Sequence, residues 1–279
     1  MTSDETQTPD APLAPATLMA ELHLGERPEL DTARLSTLVA SKLPESVLVD
    51  TDPGSLLATF AHRAFVTDFS DRKAVPIGTL VMLGQEGSPP DHSRVDLAQT
   101  WSFSDAGERL ACCKHEVLVA EMMGLPRPAV ERVAAFRAVV LAVTRQLVPL
   151  AVWWPTAGVV TPAPKEDDPL LMGLVNVRMF RVEGTDGDIL MDTMGLAALG
   201  LPDIQCHYNG LEPGRVATQV YNIGNYLYEN GDVIEDGHTV EGLEPDQRWR
   251  CRHEASIVGP PRIVLDVNPG APFAAGNRN

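Results

Sequence analysis

The chain of 279 residues carries 22 Lys and Arg against 38 Asp and Glu, a formal net charge of −16, and is 44% hydrophobic. Such a length supports one large domain or two of ordinary size, with a core that needs no disulfide or metal staple. No apolar run approaches the roughly 20 residues of a membrane helix, so no membrane partner is expected. Phosphate contacts require clustered Lys and Arg, and an acidic chain with only four lysines is not expected to bind nucleic acid.

The opening MTSDETQTPDAPLAP is acidic and proline-rich, without the positive start and apolar centre of a secretory signal. It predicts a disordered tail over residues 1–15 of a cytoplasmic protein. Thr17 to His23 alternates like a short strand, and Glu29 to Leu43 carries apolar residues at helical spacing. Ser46 to Asp50 reads as a second strand ended by an Asp52-Pro53-Gly54 turn. Leu57 to Phe69 and Val75 to Leu83 predict a hairpin, with Pro76 near the start of its second strand, and residues 85–93 a loop. Asp105 to Cys113 predicts a helix and His115 to Met123 a strand. Pro126 to Leu147 is the best helix of this half: Val133, Phe136, Val140, Val143 and Leu147 fall on one stripe, leaving Glu131, Arg132 and Arg145 for solvent. Pro149 stops it, and a short buried strand through Trp153 and Trp154 follows.

Pro and acidic residues in KEDDP suggest a linker over residues 163–169, dividing an α+β domain at 16–162 from a second at 170–269, with a disordered tail over 270–279. In the second half, Gly173 to Gly184 predicts a strand, and Asp186-Gly187 a hairpin turn, because Asp-Gly supplies the positive φ such turns require. Pro213 suits a first helical turn, and Val216, Val220, Ile223 and Leu227 form a stripe that must dock on a sheet. Trp249 to Ser256 and Pro260 to Val267 close that sheet. The expected class is α+β: two mixed-sheet halves, ferredoxin-like in each, packed together.

One internal echo stands out, Cys113-Lys114-His115-Glu116 and Cys251-Arg252-His253-Glu254. Alternate residues share a strand face, so Cys113, His115, Cys251 and His253 would offer tetrahedral zinc two thiolates and two imidazoles if the tetrads met. Their spacing is not that of a known zinc module, and small buried thiols with edge histidines are the simpler reading, so no cofactor is expected. The adjacent Cys112 and Cys113 make a poor disulfide framework, and free thiols are expected. Tyr221, Asn225 and Tyr228 share a helix face around Gly224, either a tight helix–strand contact or a polar binding groove. Asp232, Glu235, Asp236 and His238 fail the EF-hand spacing, because Ile234 and Leu243 fall where oxygen ligands are needed, and read as a solvated turn. Trp153 and Trp154 alternate on a strand, so one would point outward as a contact surface unless it packs under the linker. The chain has no G-x-S-x-G elbow, P-loop, H-E-x-x-H or G-x-G-x-x-G.

Met194-Gly195-Leu196, Leu199-Gly200, the Tyr221-Asn222-Ile223 helix and Asp236-Gly237-His238-Thr239 resemble the bacterial family catalogued as domain of unknown function 4261, over about residues 190–242 with a looser likeness upstream. Residues 244–252 read as particular to this chain. The resemblance implies a two-part α+β molecule and carries no activity. Charge and the lack of a catalytic motif lead to the expectation of a noncatalytic protein-binding module, an inhibitor or immunity-type partner of a basic protein. Two alternatives stand beside it, a metal-dependent hydrolase or thiol-metal protein built on the two tetrads, and a structural homo-oligomer.

Overall fold

The computed structural model describes residues 16–52, 57–84 and 90–276. The expected tail over residues 1–15, Pro53 and Gly54 of the first turn, residues 85–89 of the loop and residues 277–279 lie outside that set. The fold is α+β, and the chain divides into two compact units after Asn176.

The first unit is built from β1 (Met19–Leu24), α1 (Thr32–Lys42), β2 (Ser46–Asp52), β3 (Leu57–Thr67), β4 (Val75–Leu83), α2 (Ala106–Ala111), β5 (His115–Met122), α3 (Ala129–Leu147), β6 (Ala151–Trp154) and β7 (Val159–Thr161). Its sheet runs β2-β3-β4-β5-β1-β6-β7, and every pairing in it is antiparallel. Ala20 and Leu22 of β1 are sealed beneath α3, which also contacts β4 and β5 and packs against α1. Asp31 caps α1 by accepting from the Arg34 N–H, satisfying one of the orphan donors of a helix start. Val148 ends α3 in the left-handed conformation, just before Pro149.

Arg132, expected to face solvent, is 1% exposed. Its guanidinium forks onto both oxygens of Glu121 at 2.8 and 2.6 Å, while Glu121 also accepts from the Leu18 N–H and Arg132 donates to the Ala16 carbonyl. A bidentate partner with its remaining lone pairs filled is what allows an arginine inside a helix–sheet core.

The expected linker is part of this unit. Glu166 forms ion pairs with Lys42 of α1 and Arg145 of α3, and Arg137 of α3 donates to the carbonyls of Lys165 and Asp168. Gly173 sits directly over the Trp154 ring at φ +80°, where an added Cβ would lie 2.1 Å from the ring. Residues 163–176 therefore close the first unit, because α3 supplies partners for a segment whose composition resembles a linker.

The second unit comprises β8 (Asn176–Arg181), β9 (Ile189–Met194), β10 (Asp203–Tyr208), α4 (Pro213–Asn230), β11 (Thr239–Glu241), β12 (Arg248–Ala255) and β13 (Ile263–Asn268). Its sheet runs β11-β12-β13-β10-β9-β8, with β10 parallel to β13. The Asp186-Gly187 turn joins β8 to β9, with Gly187 at φ +89°. Glu212 caps α4 by accepting from the N–H groups of Gly214 and Arg215, Pro213 opens the helix, and Val216, Val220, Ile223 and Leu227 are buried as the stripe requires. α4 packs on β9 and β10, and Gly224 permits the approach: an added Cβ there would stand 3.0 Å from Leu196 Cδ1.

In the first sheet β1 lies between β5 and β6 and is antiparallel to both, while α3 links β5 to β6 across it, which is the split βαβ of a ferredoxin-like half carried on a wider sheet. The second unit has α4 as its α-helix among the described residues and pairs β10 parallel to β13, so it departs from the expected two-helix pattern. Residues 270–276, expected to be tail, are held to β10: Ala274 bridges Tyr208, Asn209 donates to the Phe273 carbonyl and Ala275 to that of His207.

Candidate functional site

The two faces of the second sheet differ in chemistry. One carries Met191, Ile204, Cys206, Trp249, Cys251, Leu265 and Val267, all buried, with α4 against β9 and β10. Register places Asp192, Gln205, Asp266, Arg252, Arg250 and Asn268 on the other, because Gln205 pairs with Asp192 and Asp266, Arg252 with Asp266, and Arg250 with Asn268.

Part of that polar face is sealed. Asp192, with no exposed surface, accepts from Arg178 Nε at 2.9 Å and Nη2 at 2.6 Å, and from Arg262 Nη2 at 2.6 Å. Arg262 extends the lattice to Asp203 at 2.8 Å, and Asp203 also accepts from Thr193 and the Leu196 N–H. Burial pushes the Asp203 carboxyl above its ordinary range, although Arg262, Thr193 and the backbone pull the other way. Arg178 and Arg262 also donate to the carbonyls of Gly259, Val258 and Pro260, tying down the loop before β13. Every charge in this group has an opposite charge within hydrogen-bond reach, as a buried lattice requires.

The rest of the face is open. Along β12, Arg248, Arg250, Arg252 and Glu254 alternate with Trp249, Cys251 and His253. The three arginines line a concavity of about 960 Å³ together with Glu254, Asp266 and Asn268, between Asp236-Gly237 on one side and Gly270 to Ala274 on the other. Arg248 donates to the carbonyls of Pro245 and Gln247, but no side-chain hydrogen bond or ion pair holds Arg250 or Arg252 among the described residues. The cross-strand neighbours of Arg250 are the neutral Thr239 and Asn268, whereas Glu241 stands across from Arg248 and Asp266 across from Arg252. The field of Arg252 also contributes to holding the Asp236 carboxyl below its usual range, after the larger effect of the hydrogen bonds it receives from the backbone and ring of His253. The positive potential is therefore least compensated at Arg250. Guanidinium groups so placed can fork onto carboxylate or phosphate.

The residues singled out from sequence fall elsewhere. Cys113 and His115 belong to the first unit, Cys251 and His253 to the second. Burial pushes both thiols up to about 11, and the Cys113 S–H donates to the Arg109 carbonyl, whereas zinc takes the thiolate. His253 lies between Asp236 at 2.9 Å and Asp232 at 3.2 Å. No group of three or more His, Cys, Asp or Glu among the described residues is arranged to hold a metal ion. All four cysteines are free thiols.

Tyr228 is 5% exposed and Asn225 donates to Glu229 one turn on, and the close approach at Gly224 is made by Leu196, just after β9, with Thr193 and Ile204 of the sheet behind it. Neither tryptophan points outward. Trp153 packs with Phe103, Ala106, Leu110 and Val160 and carries the Arg94 guanidinium 4.8 Å from its ring, whereas Trp154 meets Phe136 edge-on and donates to Thr161. Strand alternation sends them to opposite faces, but here both faces are covered, by α3 on one side and the segment through α2 on the other.

Sequence reasoning missed the arginine row, although R-W-R-C-R is visible period-two alternation. It also missed β10, which supplies Asp203 and Gln205.

This helix-backed sheet with one charged face is also where the chain is similar to a known family. The family model Domain of unknown function (DUF4261) matches residues 192–268, from Asp192 on β9 to the end of β13. The matched stretch runs through β12 and β13. No curated protein and no solved structure matches the chain. No helix of the described residues is long and apolar enough to cross a membrane.

Proposed function

We propose that this protein is a noncatalytic recognition protein whose second unit binds an acidic segment of a partner protein on the arginine-bearing face. The observation that carries this reading is Arg250, a guanidinium in a concavity with neutral cross-strand neighbours, like charges two residues away on either side and no bonded partner among the described residues. Three like charges in one row repel each other, and an arriving anion relieves that repulsion while making charge-assisted hydrogen bonds. Overall charge suggested a basic partner; the local geometry favours an acidic one. The net charge of −16 acts against a long polyanion such as nucleic acid, which must extend past the concavity into a negative field.

The test is fluorescence anisotropy with a labelled oligoglutamate peptide on the full chain, against oligolysine and a short single-stranded oligonucleotide. Saturable binding of oligoglutamate that weakens with salt and is lost in Arg250→Glu is expected. Tighter binding of oligolysine or of the oligonucleotide, or indifference to Arg250→Glu, would overturn the reading.

A further inference from the structure

We infer that the concavity reads an extended segment bearing acidic side chains at every second position, one for each of Arg248, Arg250 and Arg252. This deepens, and rests on, the reading of the second unit as a module for acidic protein segments.

The inference comes from the geometry of the floor. Alternate residues on a strand are about 6.7 Å apart, so the row from Arg248 to Arg252 spans about 13 Å. A second extended chain lying along β12 has the same repeat, which lets alternate carboxylates meet successive guanidinium groups without either backbone distorting. Consecutive acids in an extended chain point to opposite sides, so a block of three delivers at most two to the row. The floor is two strands wide, β12 and β13. Gly237 donates to the Cys251 carbonyl and so flanks β12, and residues 270–274 follow directly on β13. The matched repeat favours an extended segment over a helix, whose same-face side chains recur at about 5.4 Å per turn and fall out of step with the row.

The row has a definite end. After Arg252 the next residue on this face is Glu254, which accepts from Gln205 Nε2 at 3.1 Å and whose own charge repels an incoming carboxylate. A matching segment thus carries three acids in alternation and no fourth. The centre of the row sets the affinity, because Arg248 has Glu241 across from it and Arg252 has Asp266, whereas Arg250 has only Thr239 and Asn268.

The experiment uses the full chain and three labelled peptides with three aspartates each. In the first, Asp alternates with Thr; in the second, the same residues are reordered so that the aspartates are consecutive; in the third, an alanine-rich helical peptide carries Asp at every fourth position. The alternating peptide should bind about tenfold or more tightly than either of the others, the difference that a single charge-assisted hydrogen bond makes. Arg250→Gln should weaken it more than Arg248→Gln or Arg252→Gln. All three variants change exposed side chains, and circular dichroism confirms that they fold. Equal binding of the alternating and consecutive peptides, with loss in Arg250→Gln, would overturn the spacing while leaving acidic recognition in place. Preference for the helical peptide would overturn the extended conformation. Failure of all three to bind would overturn both this inference and the functional reading beneath it.

Discussion

Replacing Asp192 by Asn should destabilise the second unit by more than any surface charge can. Asp192 is fully buried and bonds to both Arg178 and Arg262, whose side chains are 10% and 3% exposed. An amide of the same shape keeps the packing but removes the negative charge, leaving two desolvated guanidinium groups with Asp203 bonded to one of them. Breaking a buried ion pair from one side costs about 3–5 kcal/mol. Hydrogen exchange read by mass spectrometry over β9, β10 and β13 separates this unit from the other. Protection there should fall by roughly 10²-fold to several thousandfold, since each 1.4 kcal/mol is about a factor of ten. Glu244→Ala, which removes the exposed pair with Arg215, is the control and should stay within about 1 kcal/mol. Adding Arg178→Met to Asp192→Asn should recover part of the loss, because it removes one of the stranded cations. If Asp192→Asn matched the surface control, or if Arg178→Met deepened the loss, the lattice would not be acting through charge neutralisation.

Acid should weaken the first unit through two histidines. Burial lowers both His23 and His62 to about 4, from an ordinary value of 6.5. The unfolded chain then binds protons that the folded chain refuses, so stability should fall as pH drops from about 6.5 to about 4, by roughly 3 kcal/mol per histidine, and level off below. Denaturation midpoints measured across that window check it. His23, whose ring nitrogens are buried beside His92 without a hydrogen-bond partner among the described residues, can be replaced by Leu with a flatter pH profile and no loss near neutrality. His62 bridges Ser46 and Thr79, so His62→Leu should cost about 1–3 kcal/mol at pH 7 by stranding their hydroxyls. Gly173→Ala should destabilise the same unit by about 2–4 kcal/mol in thermal melts, combining left-handed backbone strain with overlap on Trp154. Unchanged melting would mean that residues 170–175 do not close over that ring.

Local signals in the sequence carried the elements whose causes are local. The helix Pro213–Asn230 was legible because its opening proline, apolar stripe and closing Asn230-Gly231 lie within one stretch of chain. The Asp186-Gly187 turn and the strand over 248–255 were legible for the same reason, and the alternation R-W-R-C-R already places the three arginines on one side of β12. Composition misled where partners are distant. Residues 163–169 have the composition of a linker, yet α1 and α3 supply Lys42, Arg137 and Arg145 to hold them, and Arg132 has the spacing of a solvent residue, yet Glu121 lies beneath it.

The sequence by itself determined which side chains share a face, because a period of two or of 3.6 is set by the backbone of the element alone. Only the tertiary structure decided which faces are covered. Arg178, Asp192, Asp203 and Arg262 are spread over three strands and a loop, and meet because β10 lies between β9 and β13, parallel to the latter. Nothing within any one segment specifies that pairing. The same pairing seals the acidic end of the polar face beneath the 256–262 loop and leaves Arg250 in the open, so strand order, and not composition, sets the sign of the surface this acidic protein presents there.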